Sequence, residues 1–321
     1  MSDSQLNVVT YGWSVLIAAL LNQAISMPFS GALVRWTVHY HPEGVCIGDS
    51  EQPKTEPGLL VDGYFSTLRR VYRLEGWAGL YKGFWPSFLG VFASLLIVLA
   101  LLPDDPKLTI GRPVRLDEYG VFVQVITGLI VGIPIRVLVI RAIVTPYKLR
   151  SSNPLVAYKL LLSPIERRQP WKIYLLPGVF ISQFANVLFL SIIIPAIASW
   201  LGRLAEKSLL VAGILYLTFV LLGSCLQAVF SVAMSRFRVQ RTRSVEEDNT
   251  GAETVADIAA AANVESYSHE DVIAVRDDQD PYVSFADYVN KVIAEEGWRV
   301  LLRAWWAYFL GFHVLAYPHL K

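Results

Sequence analysis

The residues best suited to chemistry in this sequence are polar groups that interrupt long apolar runs. A cation or an amide inside an apolar segment loses its hydration, so it must face a neighbouring helix, a water-filled cavity or a ligand. Such groups can bind a polar solute, and we predict that they line a central cavity. For the amides and the histidine an alternative stays open, in which each only hydrogen-bonds a neighbouring helix. The candidates are Arg136, Arg141, Gln183, Asn186, Gln227 and His313.

The sequence offers little for catalysis or for a resident metal. Ser224 and Cys225 have no base nearby in sequence, although a nucleophile needs an adjacent base. His39 and His41 have no cysteine or acid at ligand spacing, and two histidines fall short of a structural zinc site. We therefore expect no enzyme activity, no cofactor and no metal.

The elements that position these polar groups must cross a membrane. Apolar residues make up 54% of the chain and charged residues 17%, against roughly 25% charged in an average soluble domain. The apolar runs reach about 20 residues, enough to cross a hydrocarbon core about 30 Å thick. Backbone polar groups in lipid must be satisfied within their own segment, which predicts helices. The expected spans are residues 8–35, 84–102, 119–150, 173–201, 209–238 and 300–317.

The spans belong to an internal repeat. Residues 64–90 align without gaps with residues 285–311 and share Glu-Gly-Trp, a basic residue, a tryptophan and Phe-Leu-Gly. A weaker copy lies at residues 158–178. Apolar positions at helical spacing in these segments predict helices that lie along the membrane surface. The predicted fold is an all-α membrane protein, with six transmembrane helices in three pseudo-repeats of two spans plus a surface amphipathic helix.

The repeat sets the domain organisation. The three units are expected at residues 1–102, 103–201 and 202–321. The third unit carries an acidic insertion at about residues 243–281, with few aromatic residues. Low hydrophobicity and high net charge predict that most of this insertion is disordered.

These repeats resemble those of the mitochondrial carrier family. That family has Pro-x-acid-x-x-base-x-base at the end of each odd helix and acid-Gly-x4-aromatic-base-Gly at the start of each even helix. The second motif is complete in the first unit and partial in the third, and parts of the first motif occur in all three units. The residues that carry the resemblance are Pro28, Arg35, Glu75, Gly76, Tyr81, Lys82, Gly83, Arg150, Arg238, Glu296, Gly297 and Arg303.

The resemblance implies a gate of ion pairs at the ends of the odd helices, and this chain departs from it. The acid positions read Ser30, Thr145 and Ala233, and the first-base positions read Leu33, Lys148 and Arg236. Cations without a carboxylate must stay wet or find an anion. At the opposite end, Asp104 and Lys107 resemble a remnant of the second gate.

The resemblance implies a solute carrier that moves a small metabolite by alternating access, in the inner mitochondrial membrane by family default. The missing gate carboxylates keep an alternative open: a transport-silent homologue that acts as a scaffold, insertase or lipid-handling protein, for which the outer membrane is also open. Lys82 and Arg303 resemble the family's cardiolipin sites, and a cation beside a helix start suits a phosphate. A net charge of +1 gives no bulk attraction to nucleic acid. The expected partners are membrane lipid and an unidentified small molecule.

Overall fold

The computed structural model describes residues 3–42, 63–101, 118–149, 154–242, 255–268, 270–276 and 280–316. Within these ranges the chain is mainly helical, and its pairing between extended segments is a single bridge between Tyr147 and Ser266. The prediction of an all-α protein is confirmed for these residues.

The first unit consists of two long helices and a surface helix between them. They are α1 (Asp3–Val38), α2 (Tyr64–Leu80) and α3 (Phe84–Leu101). The buried side of α2 packs Val71 and Leu80 against Val38 at the end of α1. Gly83 turns the chain into α3 at a φ of +83°, and a Cβ there would lie 3.1 Å from Ile143 and Met27. Glycine at this position therefore allows α3 to start in close contact with the neighbouring helices.

The second unit is more broken than the sequence suggests. Pro134 has no N–H to donate to the carbonyl of Ile130, and this carbonyl accepts the Tyr174 hydroxyl at 2.5 Å instead. The predicted span 119–150 is consequently two helices bent by 44°. The elements are α4 (Glu118–Ile130), α5 (Gly132–Val144), α6 (Pro154–Leu161), α7 (Pro164–Arg168), a 3-10 turn (Pro170–Leu175), α8 (Val179–Leu188), a π-helical turn (Phe189–Ile193) and α9 (Ile194–Ala205).

The third unit follows the first closely. Its elements are α10 (Leu209–Val239), α11 (Val255–Ala261), α12 (Phe285–Glu296), a 3-10 turn (Trp298–Leu302) and α13 (Trp305–Ala316). Gly297 and Ala304 have φ values of +82° and +72°, matching Gly76 and Gly83 at +65° and +83° in the first unit. The same backbone path therefore recurs, although an alanine at positive φ carries a steric cost.

The described helices support up to five membrane spans rather than the six expected. Residues 16–38, 179–205 and 210–239 are long and apolar enough to cross a membrane. Two bent pairs add to these three: α4 with α5, and α2 with α3 at 48°. Because α2 carries Arg69, Arg70 and Arg73, we interpret it as a surface helix that leads into the α3 span.

The acidic insertion is not disordered where the structure describes it, and that expectation is wrong for these residues. We call residues 255–268 and 270–276 the strap. Ile258 and Ala259 of α11 pack on Leu160, and further along Val272 and Ile273 join the apolar cluster at the end of α1. Apolar residues spaced between the acids provide this anchoring. The remaining insertion residues lie outside the described ranges.

We predict that Ile273→Asp detaches the strap, because it places an unpaired carboxylate in an apolar cluster where the side chain is 7% exposed. Hydrogen–deuterium exchange over residues 270–276 should become at least tenfold faster. Val275→Asp is the matched control, since Val275 is 40% exposed. Equal exchange in the two variants would contradict the packing described here.

Candidate functional site

Three buried arginine–carboxylate pairs connect the helices α1, α5 and α10 to the surface helices α2, α7 and α12. In every pair both side chains are at most 4% exposed. A buried charge left without a partner destabilises a protein by several kcal/mol, so these pairs constrain how the helices meet. The pairs are Arg35 with Glu75, Arg141 with Glu166, and Arg236 with Glu296.

The second and third pairs are bidentate. Arg141 donates to the two oxygens of Glu166 at 2.5 and 2.9 Å. Burial alone would raise the pKa of Glu166, but Arg141 and the backbone N–H groups of Ser163 and Thr242 together lower it. Glu166 therefore stays ionised in the folded state.

In the second and third units the same arginines cap the helix end of the next unit. Arg141 donates to the carbonyl of Arg238 at 2.9 Å, at the end of α10. Arg236 donates to the carbonyls of Thr37 and His39, both at 3.1 Å, at the end of α1. Helix ends carry unsatisfied carbonyls and partial negative charge, so a cation there is favourable.

In the first unit a lysine makes the corresponding link. Lys82 forms an ion pair with Glu75 and donates to the carbonyl of Thr145, just after α5, at 2.7 Å. Its ammonium also lies 4.2 Å from the centre of the Tyr267 ring in the strap. The links thus run from the first unit to the second, from the second to the third, and from the third back to the first. We call this arrangement the capping ring.

The lysine expected at a lipid site is buried inside the protein. The Lys82 side chain is 3% exposed, and its ammonium contacts Glu75, the Thr145 carbonyl and the Tyr267 ring; cardiolipin binding at this place stays a prediction. Arg303, which stands at the corresponding place in the third unit, donates to the carbonyls of Trp36 and His39 at 3.2 and 2.6 Å. Both cations are used to join units.

The ion pairs also change which residues of the second and third units align with the gate positions of the motif. Proline stands seven residues before the pairing arginine at Pro28 and Pro134, and Val229 has this place in the third unit. The expected register is therefore wrong by nine residues in the second unit and by two in the third. Sequence alone did not show which arginine meets a surface carboxylate.

With the corrected numbering the gate-acid positions are Ser30, Arg136 and Ser231, and the first-base positions are Leu33, Val139 and Met234. The residues expected there have other surroundings. The Thr145 carbonyl accepts from Lys82, Lys148 pairs with Glu265 at 2.9 Å on the surface, and Ala233 is buried in the core. Asp104, Lys107 and Arg150 lie outside the described residues.

A cavity of about 760 Å³ lies between the helices of the three units. Four of the expected residues line it: Arg136, Gln183, Asn186 and Gln227. Arg141 does not, because its guanidinium turns away to the capping ring. The His313 side chain lies outside the described part of the structure. Ser30, Ser231 and Arg238 also line the cavity.

The cavity is positively charged. Arg136 and Arg238 contribute two guanidinium groups, and no carboxylate is found among the described residues that line it. Arg238 donates to the Oε1 of Gln183. The Nε of Arg238, the Nδ2 of Asn186 and the Oε1 of Gln227 are buried without a hydrogen-bond partner in the described part of the chain. The site can therefore offer several donors to a polar solute.

Two functional residues escaped the sequence analysis although the sequence contains signals for them. Ser163 and Glu166 form a capping box that starts α7, and Ser-x-x-Glu is a recognisable pattern for it. The seven-residue spacing from Pro134 to Arg141, which repeats the spacing from Pro28 to Arg35, could have given the correct register.

Comparison with known families gives one result that fits this geometry. Residues 4–102 match the family described as mitochondrial carrier protein. The matched range holds α1, α2, α3 and the Arg35–Glu75 pair. A search of curated proteins gave no match. The resemblance predicted from the repeated motifs is confirmed over this range.

We predict that Glu166→Gln lowers stability by about 3–5 kcal/mol, because it leaves Arg141 buried without a counter-charge. The measurement is thermal unfolding of the purified protein in detergent. Glu265→Gln is the control: this carboxylate is 68% exposed in its pair with Lys148, so its loss should cost at most about 1 kcal/mol. Similar melting temperatures for the two variants would refute the role of the second pair.

Acidification should weaken the end of α1 through His39. Burial, the charge of Arg303 and the neighbouring His41 lower the pKa of His39 from 6.5 to about 4, and its Nδ1 accepts the Ala274 N–H at 3.2 Å. Below pH 6.5 the unfolded chain takes up a proton that the folded chain refuses, so stability falls between pH 6.5 and about 4.

His39→Asn tests this expectation, because an amide oxygen can replace Nδ1 as acceptor without titrating. Melting temperatures measured from pH 7 to 4 should fall less steeply in the variant than in the parent protein. An unchanged slope would show that other groups cause the loss.

Proposed function

We propose, from the match of residues 4–102 to the mitochondrial carrier family, that this chain belongs to that family and moves a small metabolite across a mitochondrial membrane by alternating access. The observation that carries the proposal is the polar cavity at the meeting place of the three units. Its volume of about 760 Å³ lies within the range of roughly 300–1,000 Å³ that is usual for small-molecule sites.

The capping ring supports a motion in which the three units rock against one another. Each link is a cation on the end of a neighbouring helix, so a unit can tilt by releasing these hydrogen bonds while its own buried pair stays intact. Rigid-body movement of pseudo-symmetric units around a fixed site is a common form of alternating access.

Closure at the ends of the odd helices would depend on the capping ring and the strap. The three gate-acid positions hold no carboxylate in this chain. The strap follows the same helix ends: the Glu265 carbonyl accepts the Lys148 N–H at 2.9 Å, and the Ala274 carbonyl accepts the Tyr40 N–H at 3.0 Å. These contacts support a closed state that does not use the family's gate ion pairs.

Transport can be tested with a blocked cavity. The full chain is reconstituted in liposomes and assayed for exchange of a broad panel of radiolabelled metabolites. Ser94 lines the cavity from α3, so Ser94→Trp should reduce exchange at least tenfold by filling it. Leu96, two residues away and 51% exposed, provides the control variant Leu96→Trp, which should retain exchange.

A scaffold or lipid-handling protein gives a different result. If no member of the panel exchanges, and no member raises the melting temperature, the carrier proposal fails. Unequal effects of the two tryptophan variants on exchange support it, whereas equal effects count against a path through this cavity.

A further inference from the structure

Two sets of arginines in this protein differ in their counter-charges. Arg35, Arg141 and Arg236 each have a buried carboxylate of the same chain. Arg136 and Arg238 face the cavity, and among the described residues neither forms an ion pair. Each of the first three arginines thus has a carboxylate of its own unit, whereas the described residues that line the cavity supply none to Arg136 and Arg238.

The two cavity charges have the same sign and share one cavity. Arg136 lies on α5 and Arg238 at the end of α10, and both side chains line the space between the units. Like charges that face the same cavity repel each other. An anion between them removes this repulsion, whereas a cation adds to it.

The hydrogen-bonding groups around these charges are biased towards donors. The Nε of Arg238 and the Nδ2 of Asn186 are donors without partners, and both residues are 3% exposed. The Oε1 of Gln183 is already used, since it accepts from Arg238. Guanidinium groups present N–H forks that match the paired oxygens of carboxylates and phosphates.

We infer that this cavity binds a small anion bearing carboxylate or phosphate groups, held between Arg136 and Arg238 with Asn186 as an additional donor. The inference rests on the proposed transport function for its biological meaning, but binding itself is measurable without transport. A neutral or cationic solute would leave the two guanidinium groups uncompensated.

Binding is tested on the purified full chain in detergent. Inorganic phosphate and malonate are the probes, and chloride at matched ionic strength corrects for screening. We expect each probe to raise the melting temperature in a saturable way, as a ligand specific to the folded state must. Arg136→Gln should weaken this response at least tenfold. Arg203→Gln, which changes an exposed arginine of α9 outside the cavity, should leave it unchanged.

A charge reversal guards against a variant that merely fails to fold. In buffer without phosphate or malonate, Arg136→Glu should have a higher melting temperature than the parent protein, because the new carboxylate shares the cavity with Arg238 and replaces a like charge. It should also lose the response to both probes. A lower melting temperature together with an undiminished response would overturn the inference.

The two proposals fail in different ways. If phosphate and malonate act no better than chloride while a neutral or cationic metabolite still exchanges in liposomes, the anion site is refuted and the carrier stands. If both probes bind through Arg136 but nothing exchanges, the site stands and transport fails. Binding that appears only with added cardiolipin, and never with the soluble probes, would overturn the assignment to a small anion.

Discussion

Where two units of this protein meet, a buried guanidinium or ammonium group binds a carboxylate and at least one carbonyl oxygen at once. This double contact determines how the three units meet. Arg141 and Arg236 each make it with a glutamate of their own unit and helix-end carbonyls of the next. In the first unit Glu75 pairs with both Arg35 and Lys82, and Lys82 makes the contact with the second unit. Helix-end carbonyls that lack a donor in their own helix thus accept hydrogen bonds from the buried cations.

The cavity differs in this respect from the interfaces around it. In the motif of the mitochondrial carrier family the three gate-acid positions correspond to Ser30, Arg136 and Ser231 of this chain. These three positions therefore place no carboxylate and one cation at the centre of the bundle. At the periphery the strap buries Val272 and Ile273 beside Val38.

The long apolar runs predicted α1 and α10, and apolar positions at helical spacing predicted the surface helix α12. The bend at Pro134 could not be predicted in this way, because it depends on the Tyr174 hydroxyl from a distant segment. The carboxylate that pairs with each arginine could not be read from local sequence either, because packing brings Arg141 and Glu166 together. The composition of the acidic insertion predicted disorder because an average over many residues hides Val272 and Ile273. The burial of these two side chains anchors the strap.

The capping ring has a direction, because every unit contacts its successor's helix end through one of its own cations. Because these contacts form a closed ring, no unit is the first in it. The side chains of the capping ring therefore specify an order of the units around the axis by themselves. A circularly permuted gene, with new termini in the link between the first and second units, would encode every one of the described contacts unchanged.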